Sequence, residues 1–359
     1  MQAREGRCHA KTMMSHLFFR SRCRLAKSGS QVCVCVSVVG QGRQAGPVVG
    51  QGKQAGGGMK AARNSMQWLL GDKMSTQQFY VEYWESKPLI VKRGCKSYYG
   101  TLFDRDILLR ILKTQKIEFG AGVTIAKHDP ALAGNGNHAA GGKDWHGELP
   151  PELHPTGRAA PEIVQQLFAT GHTAQMFATQ KKTEEVRQLC QSLEAELLSL
   201  VGCTAYLTPP NSQGIAPHHD DVEVFILQTQ GSKSWQLFAP QRELSHKYEK
   251  TPPGTLGKAM MEVTLEQGDL LYIPRGVIHQ AKATADFSTH LTVSTYQAQS
   301  YGDLLQAALP AALSRAMDLD VSFRRGLPLR AFHSLGTALA ADTAHSRCRG
   351  FTSTKVLAY

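Results

Sequence analysis

The chain has 359 residues, of which 42% are hydrophobic and 19% charged, with a formal net charge of +11. This composition supports a sizeable buried core and excludes a globally disordered protein. Residues 1–65 hold 11 Lys/Arg and one acidic residue, whereas the other 294 residues hold 29 Lys/Arg and 28 Asp/Glu, so the basicity belongs to an N-terminal arm. The absence of any run of 18 apolar residues argues against a transmembrane helix.

The arm, residues 1–65, is predicted to be disordered. Two ten-residue repeats rich in Gly and Gln, at 38–47 and 48–57, cannot bury enough surface to offset the entropy of ordering. Residues 13–27 are rich in Arg and almost free of acidic residues, which is typical of a mitochondrial transit peptide. The alternatives are an extension without any address, a nuclear signal, or a weak contact with RNA.

Apolar periodicity predicts the elements beyond the arm, starting near Trp68. Helical spacing indicates helices at 76–84, 104–113 and 184–200, and a short strand is expected at 87–91. Residues 128–161 are rich in Gly and Pro and are predicted to form a long loop. Five short strands between Gly/Pro turns then indicate a sandwich, jelly roll or barrel. These strands are predicted at 222–229, 234–238, 261–265, 270–273 and 289–296.

A His-x-Asp pair at the start of this β region carries the chemical signal. In a strand, His218 and Asp220 project to the same face and can bind one metal ion. His279, just after a Pro-Arg-Gly turn, is a candidate third ligand, and two His with one carboxylate suit Fe(II) with open coordination positions. The pattern alone is weak, because His219 and Asp221 form an overlapping pair on the opposite face and a structural pair without metal is common.

Two further features favour a cofactor-binding cavity. Lys233 lies on or beside the next strand, where a buried ammonium is costly unless an anion pairs with it. Residues 288–296 alternate strictly, and the polar set, which includes His290, Thr292 and Ser294, indicates a wet inner face. An ordinary half-exposed strand would show the same alternation. Asn211 lies in a Pro-rich turn that delivers His218 to a fixed point, and we predict it as a pocket residue.

Taken together, several motifs resemble the JmjC-type ribosomal oxygenases, and within them the ribosomal oxygenase 2 branch more than that of its nucleolar relative. The similarity extends from about Trp68 to Arg325, with a weak patch at 121–172. It rests on the motifs at 79–88, 208–214, 218–228, 231–235, 268–280 and 288–297.

The resemblance implies a mainly β fold with α additions, a double-stranded β-helix (jelly roll, cupin-like) with flanking helices. It implies His218, Asp220 and His279 as iron ligands and as the catalytic centre. It assigns Lys233, with Tyr206 and Thr292, to 2-oxoglutarate, and Ser294 to the substrate pocket beside Asn211. The cofactors are then Fe(II), 2-oxoglutarate and O2. The expected activity is hydroxylation of a histidine in a large-subunit ribosomal protein, with histone H3 lysine demethylation as a further possibility.

The resemblance also sets expectations for organisation and location. The oxygenase domain is expected at 66–298, part of a helical dimerisation region at 299–330, and a divergent tail at 331–359 where a winged-helix domain would otherwise follow. A homodimer weakened by this truncation, a nuclear and nucleolar location, and no membrane association are expected. The competing functions are a catalytically inactive cupin-like binding module and, less favoured, a zinc hydrolase, which has no use for a lysine like Lys233.

Overall fold

The computed structural model describes residues 64–128, 154–252 and 254–327. The predicted arm, apart from residues 64–65, the predicted tail at 331–359 and most of the predicted loop at 128–161 lie outside these residues. Within the described residues, no helix has the length and apolar character needed to cross a membrane.

Helices precede and follow a central β region. Three of them match the predicted positions, and each of these begins at a side-chain N-cap, Ser75, Asp104 or Thr183, that accepts a backbone N–H. Two helices were not predicted: a short one at Ser65–Leu70, and one that begins with Pro161, a residue suited to the first helical turn. The helices are α1 (Ser65–Leu70), α2 (Thr76–Glu82), α3 (Arg105–Thr114), α4 (Pro161–Ala169), α5 (Glu184–Leu197) and α6 (Tyr301–Leu319).

The strands form one antiparallel sheet, in which two long strands run side by side. The order β1-β9-β6-β10-β4-β3-β2 forms its main path, while β5 pairs with β10 and β7, and β8 pairs with β6. The predicted fold class, mainly β with flanking helices, is confirmed. The strands are β1 (Leu89–Val91), β2 (Val123–Ala126), β3 (Thr173–Met176), β4 (Val201–Thr208), β5 (His218–His219), β6 (Glu223–Phe238), β7 (Glu249–Lys250), β8 (Met261–Glu266), β9 (Leu270–Ile273) and β10 (Ile278–Thr295).

The two strands predicted at 222–229 and 234–238 are one strand, so the predicted break between them is wrong. Strand β6 pairs with β9 in its first half and with β8 in its second half, while β10 accompanies it throughout. Gly231 lies at the change of partner with φ of 58°, and a Cβ there would meet the Phe287 carbonyl oxygen at 1.7 Å. The glycine therefore marks a sharp bend within the strand rather than its end.

The core lies on one side of the long strands and a cavity on the other. Leu291 and Val293 of β10 pack into the main hydrophobic cluster, whereas His290 and Thr292 line the cavity. The alternation predicted from the sequence is confirmed for these four residues. The polar face of β10 therefore lines the cavity.

Candidate active site

Strand pairing brings the three predicted metal ligands together. His218 of β5 lies directly across from His279 of β10 in the antiparallel register, and Asp220 follows β5. The His218 and His279 ring centroids are 4.4 Å apart. The Asp220 carboxylate oxygens lie 3.9 Å from His218 Nε2 and 3.7 Å from His279 Nε2. One ligand atom from each of the three residues lies within 4.8 Å of the others, which suits coordination of a single ion.

Local hydrogen bonds orient both imidazole rings towards the shared carboxylate. His218 Nδ1 lies 2.8 Å from the carbonyl oxygen of Ala216, and His279 Nδ1 lies 3.1 Å from that of Val277. A ring whose Nδ1–H donates to a carbonyl presents the Nε2 lone pair, the arrangement found in metal-binding histidines. Burial, followed by the neighbouring His218, lowers the pKa of His279 to about 4. At neutral pH the ring is therefore uncharged, as a metal ligand must be.

The overlapping pair from the sequence, His219 and Asp221, lies away from this centre. His219 lines a surface depression together with residues of the 241–249 segment. Asp221 lines another depression, beside the start of α6, and accepts a hydrogen bond from Gln297 at 3.1 Å. Strand alternation at β5 thus places His218 and Asp220, rather than their neighbours, next to His279.

Lys233 lies in the same cavity as the three ligands. Its side chain is 5% exposed, and its ammonium donates to the Thr208 hydroxyl at 3.1 Å. Among the described residues no carboxylate forms an ion pair with it. Burial lowers the pKa of Lys233 to about 7. An ammonium that is buried without a counter-charge is unfavourable by itself, which indicates that the cavity is built to receive an anion.

Aromatic rings and two nitrogens without hydrogen-bond partners form the wall around Lys233. Tyr206 and His290 stack with a centroid distance of 4.7 Å and an interplanar angle of 4°. Trp235 packs edge-on against His290 at 5.6 Å. His290 Nδ1 and Trp235 Nε1 are buried and have no hydrogen-bond partner among the described residues. Such atoms usually find a partner, so their presence beside Lys233 indicates a polar occupant.

The remaining predicted pocket residues divide into two groups. Tyr206 and Thr292 line the cavity, which has a volume of about 70 Å³. Ser294 and Asn211 are not among its lining residues. Asn211 is exposed with φ of 54° and donates its backbone N–H to the Thr284 carbonyl at 2.7 Å, so it shapes the turn before β5.

Sequence reasoning did not assign two wall residues, Trp235 and His290, to the pocket, and it did not identify Thr208 as the partner of Lys233. His290 lay on the predicted polar face of β10, so the alternation was a usable signal. Trp235 gives no pocket signal in the sequence, because a buried aromatic is most often a packing residue. For Thr208, contact with Lys233 depends on two strands that meet only through β10, and no local pattern reports that.

The comparisons with known proteins point to one domain family. Residues 175–304 match the family model described as the JmjC domain. The match includes all three candidate ligands and Lys233.

The similarity to known proteins extends beyond that domain. The chain is 35% identical over 295 residues to the bifunctional lysine-specific demethylase and histidyl-hydroxylase NO66 of Drosophila erecta, covering 80% of this chain and 42% of that protein. It is 34% identical over 297 residues to ribosomal oxygenase 1 of Gallus gallus, covering 81% and 46%. The chain therefore spans less than half the length of these relatives. The assignment to the ribosomal oxygenase 2 branch stays a prediction.

A solved structure of YcfD, a ribosomal oxygenase from Escherichia coli in complex with cobalt and 2-oxoglutarate, is also similar. The sequence identity is 20%, the TM-score is 0.47, and the alignment covers 76% of this chain and 63% of that chain.

Proposed function

We propose that this chain is an Fe(II)- and 2-oxoglutarate-dependent oxygenase that hydroxylates a protein side chain. One observation carries the proposal. A single cavity holds two histidines and a carboxylate at one end and, at the other, a buried lysine that has no counter-charge among the residues the structure describes. A zinc hydrolase needs the first feature and not the second.

The donor set fits iron. Two imidazole nitrogens and one carboxylate on one face leave coordination positions open for a co-substrate and oxygen, the arrangement of non-haem Fe(II) oxygenases. The Nδ1 contacts of His218 and His279 to backbone carbonyls orient both rings with Nε2 facing Asp220. These three residues would hold the metal.

The far end of the cavity fits a dicarboxylate. A carboxylate at Lys233 would supply the missing counter-charge and could accept hydrogen bonds from Thr208 and Thr292, which lie on neighbouring strands. His290 Nδ1 and Trp235 Nε1, which find no hydrogen-bond partner in the described part of the chain, border the same space. An anion would thus relieve the cost of burying all these polar groups together.

When bound, Fe(II) with 2-oxoglutarate and O2 supplies the oxidative chemistry, in which one oxygen atom enters a substrate C–H bond and the other enters succinate as CO2 is released. The protein residues supply binding and orientation. Lys233 and Thr208 hold the carboxylate far from the metal end. The wall of Tyr206, His290 and Trp235 limits water around that carboxylate, and His218, Asp220 and His279 keep the metal at the opposite end.

For the substrate, we propose a histidine of a large-subunit ribosomal protein. The support is the similarity to the lysine-specific demethylase and histidyl-hydroxylase NO66 and to ribosomal oxygenase 1, together with the sequence motifs. Lysine demethylation of histone H3 is the second proposed activity on the same grounds. We also propose membership of the ribosomal oxygenase 2 branch, a homodimer, and a nuclear and nucleolar location, with mitochondria as the alternative. The sequence resemblance supports the branch, the homodimer and the nuclear and nucleolar location, and the Arg-rich composition of the arm supports the mitochondrial alternative.

The test measures succinate and peptide mass with the full chain, Fe(II), ascorbate and 2-oxoglutarate. Histidine-containing peptides from large-subunit ribosomal proteins serve as substrates. We expect 2-oxoglutarate-dependent addition of one oxygen atom to a histidine, and its loss in His218→Ala. Succinate formation without peptide oxidation would contradict the proposed substrate. If neither succinate nor oxidised peptide forms and 2-oxoglutarate does not bind, the oxygenase proposal would be overturned and a binding module favoured.

A further inference from the structure

A buried charge network lies outside the cavity, at the turn between β9 and β10. Arg275 in this turn is 8% exposed. Its Nη2 lies 2.6 Å from Glu85 Oε1, and its Nε lies 3.9 Å from Glu223 Oε1. The guanidinium is therefore placed between a carboxylate from the segment after α2 and one from the first residue of β6.

Glu223 closes this network through a tyrosine. The Glu223 side chain is fully buried and accepts hydrogen bonds from the Tyr272 hydroxyl and from the Arg275 backbone N–H, the latter at 3.4 Å. The Tyr272 oxygen in turn accepts the backbone N–H of Glu85 at 2.9 Å. Three segments that are distant in the chain are thus joined by charged and polar contacts that are buried at Glu223 and Tyr272 and partly exposed at Glu85.

The same turn holds two of the candidate metal ligands. The backbone N–H of Gly276 donates to the carbonyl of Asp220 at 2.9 Å. The carbonyl of Val277 is the partner of His279 Nδ1. Movement of this turn would therefore shift the Asp220 backbone and release the orientation of the His279 ring together.

We propose that Arg275 is a positioning residue for the metal centre. Glu85, through its ion pair with Arg275, contributes to the same positioning from the segment after α2. Buried ion pairs contribute little net stability compared with apolar packing, but their hydrogen bonds specify direction. A fixed orientation of Arg275 matters here because the neighbouring residues Gly276 and Val277 contact the ligands. The inference rests on the proposed metal binding.

The test titrates the untagged full chain with Co(II) and records affinity and the visible absorption spectrum. We expect Arg275→Met to weaken binding roughly tenfold, at the lower end of the effect of outer-shell partners, and to shift the absorption band. Glu85→Gln, which keeps a polar group, should weaken binding about threefold in the same direction. Arg275→Lys should give a value between wild type and Arg275→Met, because lysine retains the charge but not the forked geometry.

Lys92→Met is the matched control, because the ion pair of Lys92 with Asp269, at 2.7 Å, joins β1 and β9 without touching the β9–β10 turn. It should leave the Co(II) spectrum unchanged. Loss of fold alone lowers the bound fraction without shifting the band of the protein that remains folded. If Arg275→Met does not fold, Glu85→Gln tests the inference instead, because the Glu85 side chain is one-third exposed and its replacement should disturb the fold less.

Wild-type affinity and spectrum in both folded variants would overturn this inference while leaving the proposed function intact. A wild-type chain that binds no Co(II) would overturn the proposed metal centre and this inference with it.

Discussion

The two ends of the cavity are built in different ways. At the metal end, each ligand lies near a strand terminus, and both imidazole rings are oriented by backbone carbonyls only two residues away, Ala216 for His218 and Val277 for His279. At the lysine end, Lys233 lies inside β6, and its partner Thr208 belongs to β4, a strand on the far side of β10. One end depends on turns, and the other depends on the alignment of long strands.

This difference predicts separable functions. A change at the turns should affect the metal and leave the lysine end in place, because β6 and β10 remain paired along their length. A change at Lys233 should affect the dicarboxylate and leave the metal ligands oriented, because their hydrogen bonds are local. The following experiments, from the largest expected effect to the smallest, test that separation.

Asp220→Ala should abolish metal binding. Asp220 supplies the charged ligand between His218 and His279, and its loss should weaken Co(II) binding by more than about 100-fold, beyond the loss caused by outer-shell changes. Metal content after dialysis and a Co(II) titration measure this. Asp221→Ala is the matched control, and equal losses in the two variants would contradict the assignment of ligands to this face of β5.

Lys233→Ala should weaken 2-oxoglutarate binding roughly 100-fold or more, since it removes the buried partner of a carboxylate. Co(II) affinity should stay at the wild-type value. Calorimetric titration of the Co(II)-loaded chain measures the first quantity, and Lys282→Ala, an exposed lysine of β10, is the control. A parallel loss of metal binding would show that the two ends are not independent.

Gly276→Ala should destabilise the turn at the metal end. Gly276 has φ of 86°, and a Cβ there would lie 2.8 Å from the Arg242 carbonyl oxygen, so we expect a loss of about 2 to 3 kcal/mol in unfolding free energy. Gly254→Ala, with φ of 77° and open space around its Cβ, should cost only about 1 kcal/mol. Denaturant unfolding measures both. Equal losses would show that the close approach at Gly276 does not constrain the turn.

The pH dependence of 2-oxoglutarate binding should report Lys233. Its pKa in the protein without co-substrate is about 7, so above that pH the amine must take up a proton before it can hold a carboxylate. The affinity should therefore fall as pH rises above 7, by at most about tenfold per pH unit. Lys233→Arg, which stays protonated, should flatten this profile, and an unchanged slope in that variant would assign the effect to another group.

The same shift has a defined sign for stability. The unfolded chain keeps the Lys233 proton up to the ordinary pKa of 10.5, whereas the native chain releases it near 7. Unfolding therefore takes up a proton between these values, and the contribution of this group to stability rises with pH across that window. Thermal unfolding of the metal-free chain at several pH values measures the trend.

Local patterns predicted much of the fold and part of the cavity. Apolar periodicity located α2, α3 and α5, because this signal acts within a few residues. The strict alternation of β10 placed His290 and Thr292 on the polar face. The bend at Gly231 was mistaken for the end of a strand, because a glycine between two apolar runs is compatible with either a turn or a continuous bent strand.

The amino-acid sequence by itself determined the candidate metal ligands as residue types at a given spacing, and the polar face that would surround them. The residue pattern left two overlapping His-x-Asp pairs open and the family resemblance favoured His218 with Asp220; the tertiary structure places that pair next to His279, since strand register sets this contact. It also decided that Thr208 meets Lys233, and that Arg275 lies between Glu85 and Glu223 beside the metal centre. These contacts join residues 25 to 190 positions apart, and only the folded sheet brings them within reach.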